Sequence, residues 1–231
     1  MKTYKIHLIR HGLTQANVDA IYCGHTDTPL SEMGKEQVMQ AKANFIYPEV
    51  DFVFSSPLSR CTETAKIIYP NLEPVPIDDM IEYNFGSFEG MSAEQLTKNQ
   101  PYFEPWLAGV ADVKPPFGES HEEFSRRICT GFSKIIEGML KTDSDNIALI
   151  THGGVIMTIL ARFGLPEAPA HEWLTPSGCG YTIRITPSLW MSGKKFEVIE
   201  EIPHEEKTGG NYYDGWDYYP DDDDFDVSEY V

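Results

Sequence analysis

The sequence predicts an α/β fold: a mainly parallel sheet flanked by helices on both faces, with a small cap subregion. Two observations carry this prediction. Short apolar runs rich in β-branched residues alternate with helix-like segments along most of the chain. Most of those runs read as buried strands, as a sheet covered on both faces requires. At 231 residues and 41% hydrophobic content, the chain can bury one substantial core.

The elements follow in order. "KIHLI" (Lys5 to Ile9) reads as the first strand, followed by a helix from Ser31 to about Phe45. "DFVF" (Asp51 to Phe54) is the second strand and leads into a helix from Pro57 to about Tyr69, with Ser56 as N-cap and Pro57 in the first helical position. "VPI" (Val75 to Ile77) is a third strand. The stretch from about 83 to 119 breaks the rhythm, is rich in Pro and aromatic residues, and reads as a cap between core elements. A helix from Ser120 to about Leu140, a strand "IALIT" (Ile147 to Thr151), a helix from Val155 to about Phe163 and a strand "YTIRI" (Tyr181 to Ile185) restore the alternation. "FEVIEEI" (Phe196 to Ile202) is expected as a late edge strand.

Composition excludes several classes of partner. A formal charge of −18 repels a nucleic-acid backbone. No uncharged apolar stretch approaches the roughly 20 residues of a membrane helix. Cys23, Cys61, Cys129 and Cys179 are widely spaced, form no CxxC pair and follow no secretory leader, so reduced thiols in a cytoplasmic protein are expected. About half of the excess negative charge lies in a tail, 203–231, which also contains seven aromatic residues. Purely disordered tails are poor in aromatics. These Tyr and Trp residues are therefore expected to pack on the domain or on a second subunit, which would make a homodimer, with the Asp run solvated; the tail folding over a cationic pocket stays open.

In an open α/β sheet, ligands bind beyond the carboxyl ends of strands, where loops turn into helix N-termini. Arg10 and His11 follow the first strand, "SSPLSR" the second, and Thr151, His152 and Gly153 the fourth. Arg60 falls near the positive N-terminal end of its helix, where a cation makes most sense if an anion is also present; taken alone, it reads instead as reaching solvent or pairing with Glu63. His7 and His11 would lie about 13 Å apart on one strand face, too far to share a metal ion, and His7 reads as structural.

Taken together, these blocks resemble the histidine phosphatase superfamily, the phosphoglycerate-mutase-like proteins. "RHGLTQANVDAIYCGHTDTPLSEMGKEQ", "SSPLSRCTETA", "IEYNFGSFEGMS", "FGES" and "THGG" match the family's blocks in order over roughly Lys5 to Ile185, most like its alpha-ribazole phosphatase-type branch. The resemblance implies a catalytic domain over 1–202. It implies that His11 attacks phosphorus to form a phosphohistidine, that Arg10, Arg60 and His152 surround the phosphoryl oxygens, and that Glu82 is general acid and then base. Without the resemblance, Glu82 would read as a surface glutamate after Asp78 and Asp79. Asn17 matches a polar residue that helps hold the phosphate. Glu119 and Ser120 either cap the next helix or touch substrate. No metal and no cofactor are required, because cationic side chains neutralise the phosphoryl charge.

The activity expected is a metal-independent phosphatase acting on a small phosphomonoester. Two alternatives stand beside it. A phosphoglycerate mutase would carry a basic "ERHYG"-like block and a longer basic insert, whereas this chain has "EYNFGSFEG" and, between Glu82 and Glu119, only Lys98 and Lys114. A non-catalytic phospho-ligand-binding module would have lost the catalytic histidine, which is present. Phe103, Trp106 and Phe117 hint at an apolar leaving group or form the cap's own small core. The substrate stays open among α-ribazole phosphate, a sugar phosphate, a nucleotide or a phosphorylated side chain.

Overall fold

A computed structural model describes residues 2–142 and 144–205. Among these, the strands are β1 (Tyr4–Arg10), β2 (Phe45–Ile46), β3 (Phe52–Ser55), β4 (Val75–Pro76), β5 (Asn146–Thr151), β6 (Gly164–Leu165), β7 (Gly180–Ile185), β8 (Phe196–Ile202) and β9 (His204–Glu205). The α-helices are α1 (Gln15–Val18), α2 (Glu32–Asn44), α3 (Ser59–Ile68), α4 (Ala93–Asn99), α5 (Phe103–Leu107), α6 (His121–Thr142), α7 (Gly153–Phe163) and α8 (Pro187–Gly193).

Seven strands form one sheet in the order β4-β3-β5-β1-β7-β8-β6. β4, β3, β5 and β1 are mutually parallel, and β7 runs antiparallel to both β1 and β8. β7 thus runs against every other strand of this sheet. Expected as a late edge strand, β8 instead has β6 hydrogen-bonded along its outer side. The two-residue β6 follows directly on α7 and is too short to leave a strand pattern in the sequence.

Alternation along the central strands sends side chains to two separate cores. Ile6 and Leu8 of β1 and Ile147 and Leu149 of β5 pack with α6 and α7, while Ile9, Ala148 and Ile150 pack with Val38 of α2 and Cys61, Ala65 and Ile68 of α3. Burial on both faces explains why apolar residues occupy both alternating sets of positions in these strands, with only His7 interrupting the run between Ile6 and Leu8 of β1. One close approach demands glycine: a Cβ on Gly180 would lie 1.7 Å from the Leu8 carbonyl oxygen, where β7 crosses β1.

In the stretch 83–119, the aromatic residues form a core of their own. Trp106 is fully buried and Phe103 nearly so, packed among Tyr22, Phe85 and Phe88. The Trp106 indole N–H donates to the Tyr83 hydroxyl at 2.9 Å. Phe117 behaves differently: it is 95% exposed and adopts φ +66°, a left-handed backbone that costs a bulky residue about 1–2 kcal/mol. Of the tail, β9 pairs antiparallel with β2, and the expectations placed on 206–231 lie outside the described residues.

Candidate active site

Strand register assembles the site. Arg10 of β1 stands opposite Thr151 of β5, so His11 and His152 leave neighbouring strands at one level. Their ring centroids are 5.1 Å apart in an edge-to-face arrangement, close to the spacing of adjacent strands. β3 ends at the same edge, where the Ser56 N–H donates to the Ile150 carbonyl at 2.9 Å, and feeds α3.

His11 is almost wholly buried, and its Nδ1–H donates to the Gly12 carbonyl at 2.7 Å. That bond leaves Nε2 as the nitrogen with the free lone pair. Burial, and then the Arg60 and Arg10 charges, hold the imidazole pKa well below 6.5, so the ring is neutral.

Arg60 is 1% exposed, which rules out a solvent role. Nor does it pair with Glu63, whose carboxylate accepts the Leu30 N–H at 3.1 Å. Arg60 Nη1 and Nη2 instead donate to the carbonyls of Thr26 and Gly24, and Nε donates to His152 Nδ1 at 3.3 Å. Three of its five N–H donors are thereby fixed and two remain for an anion. The loop that supplies these carbonyls is pinned from its other side, because the Glu89 carboxylate accepts the N–H groups of Gly24, His25 and Thr26.

The expected capping of α3 by Ser56 is not what forms. The helix begins at Ser59, and Asp27 accepts both the Ser59 N–H at 2.7 Å and its hydroxyl at 2.8 Å. Ser56 is engaged elsewhere: since Arg60 donates to His152 Nδ1, the proton of His152 sits on Nε2 and is donated to Ser56 Oγ at 2.8 Å. His152 is completely buried with its pKa pushed well below 6.5 by burial and by Arg60, and both ring nitrogens are engaged. Arg10 donates through Nη1 to the Thr175 carbonyl at 2.8 Å, and its buried Nε–H has no protein acceptor. A buried, unsatisfied donor on a cation is a site made for an anion.

Glu82 reaches the same edge from the segment after β4. Its carboxylate accepts the Tyr83 N–H at 2.9 Å and the Gly154 N–H at the start of α7 at 3.1 Å. Burial raises its pKa above 4.5 even though those two N–H groups and the arginines oppose the shift. The asparagine proposed to hold phosphate, Asn17, has its Oδ1 committed to a capping box at the start of α1, accepting from the Thr14 N–H and hydroxyl. Ser120 caps the start of α6 by accepting the Glu123 N–H, while Glu119 neither caps nor stands free: it pairs with Arg127 at 2.6 Å. His7 is bonded to Thr182 and Asn146, as a structural histidine should be.

The family profile described as "Histidine phosphatase superfamily (branch 1)" matches residues 6–192. The chain belongs to this superfamily. Among its relatives, the Adenosylcobalamin/alpha-ribazole phosphatase of Escherichia coli (strain K12) is 30% identical over 185 residues, covering 78% of this chain and 90% of that protein. Phosphoglycerate mutase-like protein 4 of Arabidopsis thaliana is 27% identical over 211 residues, covering 89% of this chain and 88% of that protein. The crystal structure of the alpha-ribazole phosphatase from Shigella flexneri superposes with a TM-score of 0.73 at 27% identity, covering 90% of this chain and 100% of that one. Membership in a histidine phosphatase family accounts for two buried neutral imidazoles beside two arginines, an arrangement that would be costly in a core without an anion to receive.

Sequence reasoning missed four residues of this site. Asp27, Glu89, Arg127 and Ser56 in its histidine-bonding role each act on partners 32 to 96 positions away. The one available signal was helix phase: in "FSRRI", Arg127 follows the buried Phe124 by three positions and precedes Gly131 by four, whereas Arg126 points outward.

Proposed function

We propose that this phosphatase hydrolyses small phosphomonoesters without metal, through a phosphohistidine on His11. The observation that carries the reading is the His11 imidazole: neutral, with Nδ1–H held by Gly12 and Nε2 free, in the field of the Arg60 and Arg10 guanidinium groups. In the first step Nε2 forms a bond to phosphorus, the P–O ester bond breaks, and protonated Glu82 delivers its proton to the departing oxygen. In the second, the Glu82 carboxylate takes a proton from water as its oxygen attacks phosphorus, and the N–P bond to His11 breaks. Arg60 through its two remaining N–H groups, Arg10 through Nε–H, and Asn17 through its amide nitrogen hold the phosphoryl oxygens. His152 accepts from Arg60 through Nδ1 and packs edge-on against the His11 ring, and so holds both against the phosphoryl group.

A mutase reading is disfavoured by the cap. Between Glu82 and Glu119 it offers no arginine and only two exposed lysines, each beside a surface glutamate, Lys98 with Glu94 and Lys114 with Glu123, a poor setting for a second phosphate. A thiol mechanism is disfavoured as well. Cys61 Sγ lies 3.6 Å from His152 Nε2, but burial pushes its pKa up to about 12, so the thiolate is scarcely populated.

The relatives named as alpha-ribazole phosphatases make α-ribazole phosphate the first substrate to test. The acidic charge supports a small metabolite rather than nucleic acid, free thiols support the cytoplasm, and no helix among the described residues is long and apolar enough to cross a membrane. A homodimer belongs to the same proposal and is read by sedimentation equilibrium of the full chain. The deciding experiment incubates the protein with phosphomonoesters in excess chelator. Phosphate release that survives chelation and is lost by more than about 10³-fold in His11→Ala supports the reading. Release that needs a divalent metal, or survives in His11→Ala, overturns it.

A further inference from the structure

Arg127 lies on α6, outside the group of residues that face the phosphoryl position, yet all five of its N–H donors are engaged close to Glu82. Nη1 donates to the carbonyls of Asp79 at 3.0 Å and Ile81 at 2.8 Å. Nη2 donates to the carbonyl of Glu82 itself at 3.1 Å and to Glu119 Oε1 at 2.6 Å, and Nε donates to Glu119 Oε2 at 3.3 Å. A guanidinium has five N–H donors, so none remains for substrate. The Glu119 carboxylate completes the clamp by accepting the Asn84 N–H at 2.8 Å.

The segment 79–84 is therefore gripped on both kinds of backbone group, carbonyls by Arg127 and an N–H by Glu119, with Glu82 in the middle. The platform beneath is closely packed. One turn further along α6, a Cβ on Gly131 would lie 2.3 Å from Cβ of Asp79, so the helix backbone and the Asp78–Met80 turn are already in contact. Neither charge of the pair is open to water to any large degree, the side chains being 22% and 14% exposed, which limits screening.

We propose that the Arg127–Glu119 pair is a positioning device for Glu82, setting where its carboxyl stands relative to the leaving-group oxygen. Proton transfer requires the donor within about 2.6–3.2 Å of its target, so a loosened backbone at Glu82 weakens proton delivery before it weakens phosphate binding. A lysine cannot replace the clamp, because a point charge with three donors cannot reach three carbonyls and a carboxylate together. The inference rests on the reading of Glu82 as proton donor.

The test compares kcat/KM, which reports events up to leaving-group departure, for two esters. 4-Nitrophenyl phosphate releases an acidic phenol that needs no proton, whereas glycerol 2-phosphate releases an alcohol that does. Arg127→Met, and Glu119→Gln as a variant that keeps size and shape, are expected to lose at least about tenfold more on the glycerol ester than on the nitrophenyl ester. The double variant Glu82→Gln/Arg127→Met is expected to be no slower on the glycerol ester than Glu82→Gln alone, since two residues acting through one group are not additive. Equal losses on both esters, or losses that add to those of Glu82→Gln, would reduce the pair to a structural brace and overturn the proposal. Glu82→Gln treating the two esters alike would overturn the assignment of Glu82 itself, and the clamp's function with it. Activity retained in His11→Ala would separately mark failure of the phosphohistidine reading.

Discussion

Gly154 and Glu82 meet across the mouth of the site: the Gly154 N–H donates to the Glu82 carboxylate at 3.1 Å, and a Cβ at Gly154 would stand 2.6 Å from Glu82 Oε1. The clash is with the end of a side chain, which can swing aside, so Gly154→Ala is expected to fold normally. It displaces the carboxyl proposed as proton donor, however, and phosphatase kcat should fall by about 10²-fold, the lower end of what general acid catalysis contributes. Thermal melts together with steady-state kinetics check both halves; a variant as active as the parent would mean that Glu82 can work from another position.

Gly180→Ala is the opposite case. Its Cβ would sit 1.7 Å from the Leu8 carbonyl oxygen, a backbone atom in the middle of the sheet. Loss of stability exceeding about 3 kcal/mol is expected in urea titration, with activity per folded molecule preserved as far as protein can be recovered.

The pH dependence follows from the directions of two shifts. His11 must be neutral, and burial with Arg60 and Arg10 lowers its pKa well below 6.5, so kcat/KM should rise with pH through that lowered value. Glu82 must be protonated in the first step, and burial raises its pKa above 4.5, so kcat/KM should decline as pH rises through that raised value. The profile is therefore expected to have an acid limb below pH 6.5 set by His11 and an alkaline limb set by Glu82, the latter lost in Glu82→Gln. An alkaline limb that persists unchanged in Glu82→Gln would contradict the assigned protonation states.

The same shifts act on stability. A neutral buried histidine gives the unfolded chain more protons to bind below pH 6.5, so His11 and His152 favour unfolding increasingly as pH falls from 6.5 through their lowered native pKa values. Glu82 works in the other direction: its contribution is full below pH 4.5 and is lost as pH rises through its raised native pKa. Glu82→Gln should accordingly raise Tm at pH 8 relative to the parent and have little effect at pH 4, which calorimetry at the two pH values would decide.

Phe117 places an exposed aromatic ring on a backbone with φ +66°. Phe117→Gly should stabilise the fold by up to about 1 kcal/mol, relief of left-handed strain outweighing the greater entropy of an unfolded glycine. Denaturant midpoints at constant m-value are the measure; a loss of stability would mean that the ring packs in solution.

Much of the site could be read from the chain alone because its ingredients are local. Strand runs ending on Arg10, His11 and His152 put those residues at sheet edges, and the order of the blocks named the family. The alternation of apolar strand runs with helical segments likewise carried the sheet covered on both faces without any long-range information. Phe103, Trp106 and Phe117 looked equivalent in the sequence, since all three are aromatic residues in a Pro-rich stretch; only packing against Tyr22 and Phe88 distinguished the two buried rings from the exposed one.

Sequence by itself determined the family, and with it the groups proposed to meet a phosphate, because Arg10, His11, Arg60 and His152 lie at strand ends or helix starts that local pattern defines. Tertiary structure alone decided how those groups are held: Glu89 on the 24–26 loop, Asp27 on the start of α3, Arg127 on the backbone of Glu82, and β7 reversed beside β1. Hydrogen bonds are short-ranged in space but indifferent to separation along the chain, so a carboxylate that caps a helix 32 positions away leaves no periodic trace in the residues between.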